Sequence, residues 1–181
     1  MTVVNSRGSS AKIPATTPPT PPQRPTGGDA ELLASLQGLE LAARDLYQTA
    51  LDAGASDEGG VIATLRSNHA GYANVISGLI GNAAPQRADE ALFAQFQADF
   101  DSSDVAAVAA AAYDFESSTV ATYLDALEQL EGTDGAKTVA SIVIVESRHC
   151  AVLASLGGQG DDLDALLVND ATPFELAGST S

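Results

Sequence analysis

The chain has 181 residues, enough for one domain with a full hydrophobic core, and 24 acidic residues against eight Lys and Arg give it a net charge of −16. Such a negative chain disfavours binding to nucleic acid and to anionic membranes, because both are polyanions. No uninterrupted apolar run reaches the roughly 18 residues that a membrane-spanning helix needs, so we predict no membrane span.

Residues 1–28 differ from the rest of the chain in composition. They hold six of the eight prolines, mixed with Thr, Ser and Gly, and no acidic residue. This composition predicts a disordered or polyproline-like stalk. It looks like the tether that follows an export signal or an anchor, so we expect a protein that is exported or associated with the cell envelope. No signal peptide is visible, and a cytoplasmic location is the alternative.

From Asp29 onward the apolar residues recur at helical spacing. Asp29, Ser56 and Thr133 are candidate N-caps, because short polar side chains accept hydrogen bonds from the first turn of a helix. The pattern predicts four long helices at about 30–53, 57–81, 103–131 and 134–156. We assign residues 29–158 to this bundle and residues 159–181 to a C-terminal tail with a short helix.

The lengths of the predicted connections indicate how the helices are arranged. The first two helices are joined by a few residues, and so are the last two, which predicts two antiparallel hairpins. About 20 residues, 82–102, separate the hairpins and contain a short amphipathic segment of their own. A segment of this length can cross the whole bundle, so we predict an all-α four-helix bundle of two hairpins joined by a long crossover.

The two hairpins resemble each other in sequence. The first and third helices each carry a Glu with a Tyr seven residues later, Glu40 with Tyr47 and Glu116 with Tyr123. The second and fourth helices contain IATLRSNHA at 62–70 and IVIVESRHC at 142–150, which align without a gap. The alignment pairs His69 with His149. It also pairs Arg66 with Glu146.

This set of side chains is suited to metal binding. Glu146 and His149 are three residues apart, so they lie on one helical face and can offer an oxygen and a nitrogen to one ion. Glu40 and Glu116 on neighbouring helices add further oxygens. A mixed set of oxygen and nitrogen ligands favours iron, manganese or zinc. Without a metal, several buried carboxylates would repel one another and become protonated.

These residues carry a family resemblance. The sequence resembles the bacterial ferritin-like domain proteins, which include the bacterioferritin-like and rubrerythrin-like di-metal bundles, and it looks closest to a small exported Ala-rich branch. The family pattern is Glu on the first and third helices and Glu-x-x-His on the second and fourth. Over residues 30–157 the resemblance implies a ferritin-like bundle binding iron or manganese through five ligands: Glu40, His69, Glu116, Glu146 and His149.

Arg66 departs from the family pattern, which has a bridging Glu at that position. Arginine stays protonated and cannot be a ligand. Together with the three remaining Glu it leaves a net charge of −2, which matches one divalent ion rather than two. We therefore expect Arg66 to pair with Glu40 or Glu146, and we do not expect oxidase chemistry that needs two irons. The expected function is binding of at most one metal ion for sequestration or limited redox work.

A metal-free bundle is the alternative. In it, Arg66, the three Glu and the two His form a polar network, and the protein serves as a structural or interaction module at the cell envelope. Tyr47 and Tyr123 either pack with a polar tip, hydrogen-bond the carboxylates or carry electrons. Cys150 is most simply a small buried residue. The Ala-rich helices leave little spare apolar surface, so we expect a monomer or dimer rather than a multi-subunit cage.

Overall fold

A computed structural model describes residue 20 and residues 22–176 of the chain. Most of the predicted stalk, and residues 177–181 of the tail, lie outside the described residues. Within the described part all regular structure is helical. The six α-helices are α1 (Gly27–Asp52), α2 (Val61–Ile80), α3 (Glu90–Phe100), α4 (Val105–Gln129), α5 (Thr133–Leu156) and α6 (Leu163–Leu167). The predicted all-α class is confirmed.

The four long helices are arranged as the connection lengths predict. Helices α1 and α2 pack against each other as one hairpin, and α4 and α5 form the other. The crossover between them contains a 3-10 turn, Gly81–Ala83, and α3, which contacts both α1 and α4. The two hairpins meet through α2 against α5 and α1 against α4. This is the predicted ferritin-like connectivity.

The three predicted N-caps are wrong, each for a local reason. Helix α1 is capped by Thr26, whose hydroxyl accepts a hydrogen bond from the Asp29 amide, while the Asp29 carboxylate accepts one from the Thr26 amide. Asp29 is thus the third residue of a capping box. Helix α2 follows Gly60 rather than Ser56. Thr133 is the first residue of α5 and not its cap.

Asp29 also joins the two hairpins at one end of the bundle. Its carboxylate, only 2% exposed, accepts hydrogen bonds from the amides of Glu131 (2.9 Å) and Gly132 (2.8 Å) in the turn between α4 and α5. A Cβ atom at Gly132 would lie 2.7 Å from the carbonyl oxygen of Arg24, so this turn has no room for a larger residue. The Asp29 side chain therefore helps to hold the start of α1 against the second hairpin, beside backbone hydrogen bonds from Thr133 and Asp134 to the segment before α1.

The hydrophobic core has two clusters along the bundle. On α1, buried residues 33–42 belong to one cluster and residues 43–50 to the other, so the boundary lies next to Glu40. On α4 the boundary falls between Phe115 and Val120, next to Glu116. On α5 it falls between Val143 and Leu153, which enclose Glu146 and His149 in sequence. A polar layer thus crosses the middle of the bundle.

The C-terminal tail packs back on the bundle rather than trailing off after its short helix. The amide of Phe174 donates to the Thr122 hydroxyl on α4 (2.8 Å), and the Phe174 ring contacts those of Phe96 and Phe115. Leu176 is buried in the core. The aromatic contacts account for this packing, because burying large apolar side chains offsets the entropy lost by ordering the segment.

Helix α5 is the one helix among the described residues that is long and apolar enough to cross a membrane, judged by length and composition alone. This is a weak indication, because the core helix of a soluble bundle has the same properties. In this fold α5 pairs with α4 and contributes buried Glu146 and His149.

We expect Asp29→Asn to lower the free energy of unfolding by about 1–3 kcal/mol, because an amide has one acceptor oxygen where the buried carboxylate uses two. Urea unfolding followed by circular dichroism measures the change. Glu31→Gln, an exposed change in the same turn, is the matched control. Equal stability of the two variants would contradict the role given to Asp29.

Candidate metal centre

Four side chains in the polar layer form a compact cluster. One ligand atom from each of His69, Glu116, Glu146 and His149 lies within 4.8 Å of the other three, and all four residues are buried. Helices α2, α4 and α5 supply them. Glu40 on α1 is also fully buried and reaches the cluster through His69. The structure therefore brings together all five residues expected as ligands.

His69 lies between two carboxylates. Its Nδ1 atom is 2.8 Å from Oε2 of Glu40, and its Nε2 atom is 2.9 Å from Oε1 of Glu116. A carboxylate accepts hydrogen bonds, so both contacts are satisfied together when the ring carries two protons. Burial disfavours this charged ring, but the charges of Glu116 and Glu40 outweigh it and raise the pKa of His69 to about 10.

His149 is held from two helices. Its Nδ1 atom is 2.9 Å from Oε2 of Glu146 and 3.7 Å from Oε1 of Glu116. Its Nε2 atom is 3.1 Å from the side-chain amide nitrogen of Asn68 on α2. The Nδ1 atom therefore faces the carboxylates and is the nitrogen that can bind a metal.

Each of the two tyrosines of the repeat hydrogen-bonds a glutamate on the other hairpin. Tyr47 of the first hairpin donates to Oε1 of Glu116 (2.6 Å), and Tyr123 of the second donates to Oε1 of Glu40. Both rings are fully buried. Burial, together with the nearby carboxylates, raises the pKa of each tyrosine, so both remain hydrogen-bond donors. Of the three roles that the sequence left open for these tyrosines, the structure shows hydrogen bonds to the carboxylates.

Arg66 does not make the expected pair with Glu40 or Glu146. Among the described residues it has no ion pair within 4 Å, and its buried Nε atom has no hydrogen-bond partner. Instead, the Glu40 carboxylate pairs with the Nδ1 atom of His69. Glu40 is therefore balanced by an imidazole of the cluster rather than by the guanidinium.

Glu116 and Glu146 differ in protonation. Burial raises the pKa of both, but for Glu116 the charge of His69 and the hydrogen bond from its Nε2 atom outweigh burial and lower the pKa. For Glu146 the adjacent charges of Glu116 and Glu40 act with burial, so its pKa is raised. Without metal, the raised pKa makes Glu146 the carboxyl that more readily holds a proton.

The residues present fit a transition metal ion. Oε2 of Glu116 and Oε1 of Glu146 are buried and have no hydrogen-bond partner. A buried acceptor without a donor is unfavourable, and a cation satisfies such an oxygen. Two carboxylates with two imidazoles form the mixed set that suits iron, manganese or zinc.

Two neighbours of the cluster were not predicted. Asn68 contacts His149, and the Tyr72 ring stacks against His149 with a centroid distance of 6.3 Å. The only sequence signal for Asn68 is its place beside His69, and it has Arg148 at the equivalent position of the repeat. Cys150, expected to be buried, is half-buried, and its Sγ atom accepts a weak hydrogen bond from Ser117 (3.8 Å).

Residues 28–159 match the family described as "ferritin-like domain". The chain belongs to this family. The match spans both hairpins and the crossover, and therefore includes every residue of the buried cluster. Searches of curated proteins and of solved structures found no significant match. The ferritin-like family and the buried His and Glu cluster thus rest on independent observations, one from sequence and one from geometry.

We expect the metal-free protein to lose stability as pH rises from 6.5 towards 10. In this window native His69 keeps a proton that the unfolded chain has released, so its contribution is complete below pH 6.5 and is lost by about pH 10. The slope is about 1.4 kcal/mol per pH unit for one such group. Chemical unfolding with chelator present measures it, and His69→Gln should flatten the profile. An unchanged profile would contradict this account.

Proposed function

We propose that this ferritin-like protein binds one divalent transition-metal ion, iron or manganese, at the buried cluster, for sequestration or limited redox work. The observation that carries the proposal is the pair of buried, unpartnered oxygens of Glu116 and Glu146 within a four-ligand set. Nothing else in the described structure satisfies these two atoms, and a cation bound between the helices would.

The charge of the cluster supports one ion. In the metal-free state His69 holds a proton that an ordinary His would have lost near neutral pH, and the raised pKa of Glu146 favours a proton on that carboxyl as well. These two protons carry the same charge as one divalent ion. An ion that displaces both leaves the net charge of the buried site unchanged, which avoids the penalty of burying uncompensated charge.

Glu116, Glu146 and His149 would hold the ion, with His69 as a fourth ligand. A bound iron or manganese would supply a change of oxidation state. The chain itself supplies the surroundings, since Tyr47 donates to Glu116 and fixes that carboxylate, while Glu40 orients His69. The burial of all these side chains excludes bulk water. Arg66 stands where a second bridging carboxylate would be needed, so we do not propose a two-metal oxidase.

The test is metal content per chain, measured by elemental mass spectrometry on untagged protein purified without chelator. We expect about one iron, manganese or zinc per chain in the parent and almost none in Glu146→Ala, which loses a ligand. Glu128→Ala removes an exposed carboxylate from α4 and should keep the metal. Equal metal content in all three proteins would show that the metal is bound elsewhere.

A metal-free structural or interaction module at the cell envelope is the second candidate. It is favoured by the way the cluster satisfies most of its own polar atoms, with His69 bonded to two carboxylates and both buried tyrosines bonded to a Glu. The absence of metal in a folded, thermally stable parent protein, even after incubation with Fe²⁺ or Mn²⁺, would select this candidate.

Replacing Arg66 by Glu tests the origin of the site. We expect Arg66→Glu to bind about two iron ions per chain, because it restores the carboxylate that the family pattern has at this position and adds negative charge. Iron titration followed by elemental analysis measures the ratio. Arg66→Gln, which removes the positive charge without adding a ligand, is the control. A ratio no higher than that of the parent would mean that position 66 is not a lost ligand.

A further inference from the structure

Asn68 precedes His69 on α2, but its side chain contacts the histidine of the other hairpin. Its amide nitrogen lies 3.1 Å from Nε2 of His149, on the side of the ring opposite Glu146. His149 is thereby held at both ring nitrogens, by a carboxyl on its own helix and by an amide on α2. No other described residue hydrogen-bonds the Nε2 atom of His149.

This arrangement sets the position of the ring proton. An amide nitrogen only donates hydrogen bonds, so Nε2 of His149 must accept and Nδ1 must carry the proton, which it donates to Oε2 of Glu146 at 2.9 Å. A metal-binding nitrogen needs a free electron pair. In this arrangement Nδ1, the nitrogen that faces the carboxylates, is occupied by a proton and cannot bind a metal.

Binding through Nδ1 requires the proton to sit on Nε2, and Nε2 then needs an acceptor. Asn68 can supply this acceptor. When its side-chain amide rotates by half a turn, the carbonyl oxygen takes the position of the amide nitrogen. Metal-binding histidines generally donate from the other ring nitrogen to such a partner, which fixes the tautomer and the ring orientation. A side chain with only donors or only acceptors could not serve both states.

We propose that Asn68 is a positioning residue for the metal centre, and that its amide turns over when the metal binds, so that it supports the Nδ1-protonated form of His149 without metal and the Nε2-protonated form with metal. The inference rests on the proposed function and deepens it. It also makes the two halves unequal, because the equivalent of Asn68 in the second hairpin is Arg148, which is exposed and has no acceptor.

The unequal halves assign different roles to the two histidines. His69 is held by Glu40 and Glu116, and neither carboxylate can donate a hydrogen bond when ionised. His149 alone has a partner that can accept or donate. We therefore expect the ion to be anchored through His149, with His69 as a secondary ligand.

Two substitutions separate the roles of the amide. Asn68→Asp provides only acceptors and favours the Nε2-protonated ring, so it should bind Zn²⁺ about tenfold more tightly than the parent. Asn68→Leu has nearly the same size but no polar atom, so it should bind Zn²⁺ about 10- to 100-fold more weakly. Ser67→Asp adds the same charge at an exposed neighbouring position and should change the affinity by about twofold or less. Calorimetric titration of each protein with Zn²⁺ measures the affinities.

Nitrogen NMR of ¹⁵N-histidine-labelled protein gives a readout that does not depend on metal binding. In the metal-free parent, Nδ1 of His149 should be protonated and Nε2 should not. In metal-free Asn68→Asp, and in the Zn²⁺-loaded parent, Nε2 should be protonated. His69→Gln assigns the signals of the two rings. Identical protonation of His149 in the parent and in Asn68→Asp would overturn the proposal, even if Asn68→Leu failed to fold.

The proposed function and the role of Asn68 fail in different ways. If the parent binds Zn²⁺ but the affinity is the same in Asn68→Asp, Asn68→Leu and Ser67→Asp, the site stands and the role of Asn68 is overturned. If no variant binds Zn²⁺ while the ring protonation follows residue 68, the metal function and the metal-driven amide turn are overturned together.

Discussion

The structure depends on burying charge at the middle of a helical bundle. Three carboxylates and two imidazoles lie in one layer, each almost completely excluded from water. Isolated buried charges would destabilise the fold by many kcal/mol, so each group must be paired, hydrogen-bonded or protonated. His69 between two carboxylates, a protonated Glu146 and two buried tyrosines meet this demand. The helices must therefore keep one register, because any axial shift would separate these partners.

The hydrophobic parts of the bundle are organised around this layer. One apolar cluster lies on each side of it along the helices, and the returning C-terminal tail adds Phe174 and Leu176 to the core. At one end Asp29 ties the start of α1 to the turn before α5. Apolar packing thus holds the polar layer from both directions, and the Asp29 carboxylate adds a link between the hairpins at one end. Such support holds the buried His and Glu side chains in a fixed arrangement.

The two proposed functions differ only in what compensates the carboxylates. Protons on His69 and Glu146 serve in the metal-free protein, and one divalent ion carries the same charge. The two halves of the repeat share their tyrosines and histidines but differ at two positions near the histidines. Arg66 aligns with Glu146, and Asn68 aligns with Arg148. Both differences bear on the proposal of a single ion held mainly by His149. A site built this way keeps the ferritin-like frame and removes one of the carboxylates that a second ion would require.

Sequence alone determined the helices, their connectivity and the composition of the site. Apolar spacing identified four long helices, the unequal connections predicted two hairpins with a crossover, and the internal repeat singled out Glu40, His69, Glu116, Glu146 and His149 as one group. These features are local or periodic, so they can be read from neighbours along the chain. The helix caps were predicted wrongly because the prediction looked for a polar cap at each start, whereas α2 and α5 follow glycines without a side-chain cap and Asp29 is the third residue of the α1 capping box.

The tertiary structure alone decided which partner each side chain has. Sequence places Tyr47 on the same helical face as Glu40, yet Tyr47 bonds Glu116 and Tyr123 bonds Glu40, because the hairpins pack so that each tyrosine reaches the opposite half. Arg66 was expected to pair with a carboxylate, and His69 takes that place. Asn68 meets His149 only because α2 and α5 are neighbours. Partners that lie 69 to 83 residues apart are set by helix packing, which no spacing along one helix can specify.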